Sequence, residues 1–161
     1  MKNILVCIII VLCYLSGEAQ NKKDIREAGI RSRTELIEVN KKGITFSYTE
    51  SIEIYDENGN ITEKKEFDEK GDIRLHETYQ YSEGNKLIKK SKISPVTGNE
   101  QKSVVFAYDT QGNLIKEEHY DGKGVINKTI DYVYDGKFKM KKTVTNNKGK
   151  IKEIKHYQYN K

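Results

Sequence analysis

The chain has 161 residues, the size of one domain, and one third of them are charged, with a net charge of +5. Trp is absent, Pro occurs once and Tyr occurs 11 times. The apolar residues recur at regular places, which excludes a disordered chain; their scarcity excludes a thick core and points to a thin or one-sided one.

The N-terminus has the form of an export signal. Lys2 supplies a basic start, Ile4 to Leu15 an apolar stretch, and Ser16-Gly17-Glu18-Ala19 small residues at the −3 and −1 positions of a cut after Ala19. The apolar stretch is shorter than the ~20 residues of a spanning helix. A signal peptide over 1–19 is expected, with no transmembrane anchor after cleavage. Leu12 precedes Cys13 where lipid attachment wants a small residue, so a lipoprotein is not expected. Cys7 and Cys13 both leave with the signal, and the mature chain then has neither disulfides nor thiolate chemistry. Residues 20–38 are expected to hold a short helical turn over Asp24 to Ala28, ended by Gly29, and then a first strand.

Residues 39–161 are governed by an internal repeat. Tyr55-Asp56-Glu57-Asn58-Gly59-Asn60-Ile61 is followed by Phe67-Asp68-Glu69-Lys70-Gly71-Asp72-Ile73. The pattern returns at Tyr108 to Leu114, Tyr120 to Ile126 and Thr145 to Ile151, with looser copies around Gly84, Gly98 and Gly136. In each copy an Asp or Asn accepts backbone N–H groups, Gly takes the left-handed position, and an Ile or Leu opens the next strand. Nine turns, at Gly43, Gly59, Gly71, Gly84, Gly98, Gly112, Gly124, Gly136 and Gly149, predict about ten strands. No helix-length apolar pattern separates them. The expected fold is therefore an all-β antiparallel meander, open or half-curled, with a closed up-and-down barrel as the alternative.

A longer period overlies the first. Tyr55, Tyr81, Tyr108, Tyr134 and Tyr159 are 26, 27, 26 and 25 residues apart, and Tyr79, Tyr132 and Tyr157 each sit two residues before one of them. The strings Tyr108-Asp109…Gly112-Asn113-Leu114 and Tyr132-Val133-Tyr134-Asp135-Gly136 resemble the YD repeats of Rhs-type proteins, over roughly residues 39 to 161, and overlap in look with MORN-type hairpin repeats. That resemblance implies a β-strand spiral. The chain departs from the large YD-repeat proteins in having too few units for a shell and no toxin domain.

Strand alternation places Ile44, Phe46, Tyr48, Ile52 and Ile54 on one face, likewise Ile73, Leu75, Tyr79 and Tyr81, then Val104, Phe106 and Tyr108, and Ile126, Ile130, Tyr132 and Tyr134. Leu114, Lys116, Glu118 and Tyr120 form a charged band between apolar ends, and Ile61, Glu63, Lys65 and Phe67 do the same. Residues 136–161 hold nine lysines against Glu153 alone. Edge-strand lysines that deter aggregation account for this better than an acidic partner, and no nucleic acid is expected.

Catalytic chemistry is not expected. There is no G-x-S-x-G, P-loop or dinucleotide fingerprint. His76, His119 and His156 are far apart, without Cys or a local acid cluster, so no metal site and no cofactor are expected. Asp56, Asn58 and Asn60 alternate as the oxygen ligands of a calcium loop do, but a capped tight turn explains them and also fits the copies with Lys at those positions, so no calcium site is expected. Asn60-Ile61-Thr62 and Asn127-Lys128-Thr129 match the glycosylation sequon, which matters only in a eukaryote, whereas the short signal reads as bacterial.

The leading expectation is an exported, non-catalytic protein, in the periplasm or at the cell surface. Its repeat sheet binds a protein or cell-envelope component through Tyr79, Tyr81, Tyr108, Tyr132, Tyr134 and Tyr157. A periplasmic carrier holding an apolar or lipid ligand against Phe46, Tyr48, Phe106 and Ile130 is the alternative. An immunity-type partner of a toxin is a third reading, implied only by the resemblance.

Overall fold

The computed structural model describes residues 17–160. Most of the expected signal, including both cysteines, lies outside the described residues. A helix, α1 (Gly17–Glu27), leads into ten strands: β1 (Ser32–Lys41), β2 (Ile44–Tyr55), β3 (Ile61–Phe67), β4 (Ile73–Tyr81), β5 (Leu87–Ile93), β6 (Glu100–Tyr108), β7 (Leu114–Asp121), β8 (Ile126–Asp135), β9 (Phe138–Asn146) and β10 (Ile151–His156). The strands form one antiparallel sheet in sequence order. The expected meander is therefore the fold. The barrel alternative is not formed: β1 and β10 stand at opposite ends of the order, and among the described residues each keeps one unpaired edge.

Local turn chemistry sets this topology. At Asp56 the carboxylate accepts the N–H groups of Asn58 and Asn60 at 2.9 and 2.8 Å, and the Gly59 N–H returns to the Asp56 carbonyl at 3.1 Å. Asp68, Asp109, Asp121 and Asn146 repeat the arrangement. Gly59, at φ 76°, is in the left-handed region, where a Cβ is strained. One turn differs from expectation: between β4 and β5 the positive φ belongs to Asn85 rather than Gly84. Asn tolerates that region through its short polar side chain.

Sequence alternation alone misassigned the faces, and the cause is a β-bulge repeated at almost every turn. From the second turn to the last, the register shifts at the second residue of the incoming strand, or the third in β9, so that Thr62, Arg74, Ile88, Gln101, Ile115, Asn127, Met140 and Lys152 have no direct partner. The extra residue reverses the alternation beyond it. Residues directly opposite share a face, so Leu114 lies with Tyr108 and Glu117, while Lys116, Glu118 and Tyr120 lie on the other side. Likewise Ile61 pairs with Tyr55, away from Glu63, Lys65 and Phe67. Ile73 pairs with Phe67 and Ile126 with Tyr120, so neither joins Tyr79 or Tyr132. A further bulge at Glu50 separates Ile52 and Ile54 from Phe46 and Tyr48; Ser51, Glu53 and Tyr55 continue that face instead.

A single-layer sheet buries little. Among the described residues the buried hydrophobic ones are Ile25, Tyr55 and Ile130, at 5–6 % exposure, whereas Leu36 and Ile44 are each 70 % exposed. Ile25 belongs to α1, which begins before the expected cleavage point and is longer than the expected turn over Asp24 to Ala28. The helix rests on the β2–β3 turn so closely that a Cβ at Gly59 would lie 2.5 Å from the Lys22 carbonyl oxygen.

Candidate functional site

Following the cross-strand partners from β2 to β10 puts Tyr55, Tyr81, Tyr108 and Tyr134 at one end of a single face, the tyrosine face, and Tyr159 falls in with them. Tyr79, Tyr132 and Tyr157 lie on the same face, two residues inward. All six residues singled out in the sequence are thus brought to one side of the sheet, each half-buried.

The column is also structural. The Tyr81 hydroxyl donates to the Ile61 carbonyl at 3.0 Å, Tyr108 to Leu87 at 2.9 Å and Tyr159 to Lys139 at 2.9 Å. Each acceptor is the residue just before a bulged position, where the ladder is interrupted. The phenols therefore satisfy carbonyls that the bulges disturb and join each hairpin to the next. Burial raises the Tyr81 and Tyr108 pKa values.

The inner row couples tyrosines to ion pairs. Tyr79 donates to Glu77 at 2.7 Å, and Lys90 bonds the same carboxylate at 2.8 Å while its ammonium lies 5.4 Å from the Tyr79 ring centre. Burial opposes ionisation of Glu77, but Lys90 and Tyr79 outweigh it and lower its pKa. Tyr132 donates to Glu117 at 2.6 Å, and Glu117 also meets His119 at 3.1 Å. Burial and Lys128 hold the His119 pKa down against the opposing pull of Glu117. The Lys139 ammonium lies 4.3 Å from the Tyr132 ring centre and 5.9 Å from that of Tyr134. Glu53, buried, takes Arg33 at 3.0 Å and the Tyr55 hydroxyl. Burial first, and Glu53 second, push the Tyr55 phenol upward.

Other sequence candidates are dispersed or already occupied. His76, partnered by Glu63 at 2.7 Å, and His156 are on the face opposite His119. Among the described residues no three His, Cys, Asp or Glu side chains are grouped as a metal ion would require. The Asp56 carboxylate is taken up by its own turn, which also receives the Asn60 amide at 2.7 Å. Phe46 and Tyr48 are on β2, whereas Phe106 and Ile130 are on β6 and β8; four strand spacings, about 19 Å in an extended sheet, separate β2 from β6. They do not line one pocket.

Sequence reasoning missed a cleft of about 350 Å³ where α1 crosses the sheet, lined by Lys22, Ile25, Arg33, Glu53, Tyr55, Gly59, Asn60, Ile61 and Tyr81. Its helix, GEAQNKKDIRE, contributes the single large apolar residue Ile25, so it has no periodic apolar stripe to reveal it. Among the described residues no helix is long and apolar enough to cross a membrane.

No family model matches the chain, and no curated protein matches it. Among solved structures, it is similar to the crystal structure of a porin-like protein from Bacteroides uniformis, with 14 % identity and a TM-score of 0.38, over 71 % of this chain. The chain spans 42 % of that protein's length.

Proposed function

We propose that this chain is an exported, non-catalytic interaction module whose tyrosine face binds a protein or cell-envelope component. One observation carries the reading. The sheet is a single open layer; α1 crosses its tyrosine face only near Tyr55 and Tyr81, and over the half-buried tyrosines from β6 onward there is no second layer among the described residues. Domains ordinarily bury such a face against another layer. Aromatic rings with polar tips suit a surface that is dry when bound and wet when free. The carboxylates beside the rings are engaged by Lys, Arg, His and Tyr partners, which suits a preformed contact surface rather than an acid–base site. Export rests on Lys2, the apolar stretch Ile4 to Leu15 and the small residues before position 20.

The test is capture from the envelope fraction of the native host, followed by native mass spectrometry. Wild type should retain a stoichiometric protein or envelope component, and Tyr132→Ser/Tyr134→Ser/Tyr157→Ser should lose it. Val133→Ser, on the opposite face, should keep it. A small molecule retained by every variant would instead favour the carrier reading. Equal capture by the tyrosine variant and wild type would overturn the proposal.

A further inference from the structure

The two ends of the sheet are chemically opposite. Residues 32–81, which span β1 to β4, hold twelve acidic and seven basic side chains, while residues 136–161 hold nine lysines and one glutamate. At each end, among the described residues, a strand edge is left without a partner. All six β10 residues are exposed, and most of β1 is.

Strand parity makes these edges compatible. Neighbouring strands alternate in direction, and ten is an even number, so β1 and β10 run oppositely. A second copy placed beside the first, with β1 next to β10, continues the antiparallel order and keeps the tyrosine faces on one side. One register then pairs the side chains. Setting Ile154 opposite Leu36 also sets Lys155 opposite Glu35 and Lys152 opposite Glu38. It covers two exposed apolar residues, 44 % and 70 % exposed, with each other. A shift of two residues one way brings Lys155 against Arg33 and Glu153 against Glu35; the other way sets Ile154 against Glu38. Like charges directly opposite disfavour the first shift and same-edge pairings, β10 with β10 above all, and the second shift sets an apolar residue against a charge.

We propose that copies of this chain associate head to tail through β10 of one and β1 of the next, in the register that joins Lys155 to Glu35 and Lys152 to Glu38. The lysines of β10 then have two effects: they repel another β10 and they select the acidic end of a second copy. A head-to-tail contact of this kind is heterologous and builds an open series rather than a closed dimer.

Sedimentation velocity of the full chain as its host exports it, from about 10 to 500 µM, tests this. The expected result is a concentration-dependent series of dimer, trimer and longer species that shortens at high salt. Glu35→Lys/Glu38→Lys and Lys152→Glu/Lys155→Glu should each weaken association by roughly tenfold or more, since two favourable cross-strand pairs become repulsive. An equimolar mixture of the two variants should restore it, because each supplies the complementary edge. Amide exchange on the wild-type chain is the independent readout: residues 32–38 and 152–156 should slow as concentration rises. A monomer throughout the range, association unaffected by either charge swap, or edge amides insensitive to concentration would each overturn the proposal.

Discussion

The hydroxyl of Tyr108 donates to the carbonyl of Leu87 at 2.9 Å, joining residues 21 apart in the chain. Leu87 precedes the bulged Ile88, so this phenol supplies a partner where the ladder is interrupted. Tyr108→Phe should remove one hydrogen bond and cost about 1 kcal/mol. Thermal unfolding should shift down by roughly 3–5 °C for a domain of this size. Tyr134 is in the same column, but among the described residues its hydroxyl makes no such bond, so Tyr134→Phe should cost less than about 0.5 kcal/mol. Equal losses for the two variants would mean that the ring, not the hydroxyl, secures the hairpins.

Gly59 and Gly124 have nearly the same backbone, φ 76° and 75°, but different surroundings. A Cβ at Gly124 meets nothing within 4 Å, whereas one at Gly59 meets backbone of α1. Both alanine variants should carry the left-handed strain of about 1 kcal/mol. Gly59→Ala should cost at least about 1 kcal/mol more, because a backbone carbonyl must move. Proteolysis after Lys22, Lys23 or Arg26 should accelerate in Gly59→Ala alone if the helix is displaced.

Glu100 gives the sheet a pH dependence. Burial opposes its ionisation, but hydrogen bonds from Lys89, Ser103 and Ser91 outweigh burial and hold its pKa at about 2. The folded-state pKa lies below the unfolded one, so the stabilisation is complete above about pH 4.5 and is lost as pH falls toward 2. With one third of the side chain exposed, solvent screening limits the effect, and Glu100→Gln should cost about 1 kcal/mol at pH 7. Denaturant melts at pH 7, 4 and 2.5 should show the gap between variant and wild type closing at the acid end.

Asp109 tests whether the turn needs a charge or only an acceptor. Its carboxylate takes the N–H groups of Gln111 and Asn113 at 2.9 and 2.8 Å, and the Asn113 amide at 2.9 Å. Asn146 holds the equivalent turn with a neutral oxygen at 3.1 and 2.9 Å. Asp109→Asn should leave the melting temperature within about 2 °C of wild type, while Asp109→Ala should lower it further. Amide exchange at Gln111 and Asn113 should accelerate in the alanine variant only.

The strand count and direction were legible in the sequence because each turn is made by side chains within five residues of one another. Asp56, Gly59 and Asn60 specify their hairpin without reference to the rest of the chain. The tyrosine column was legible for the same reason, since four successive periods of 25 to 27 residues return the ring to the same place. What stands on each face was not. The bulged residues Thr62, Arg74, Ile88, Gln101, Ile115, Asn127, Met140 and Lys152 all lie near the start of their strands and share no chemistry, so the bulge leaves no residue signature, and counting by twos across it assigns Leu114 to the wrong side.

The amino-acid sequence by itself determined an all-β antiparallel meander, its turn positions and the recurrence of its tyrosines, because turn propensity and period are local properties of the chain. Only the tertiary structure decided that the sheet stays open, that the bulges send the two ends of a strand to opposite faces, and that α1 docks on Gly59. Those outcomes depend on cross-strand register and on contacts between residues more than thirty positions apart, such as Lys22 and Gly59, and no local pattern encodes them.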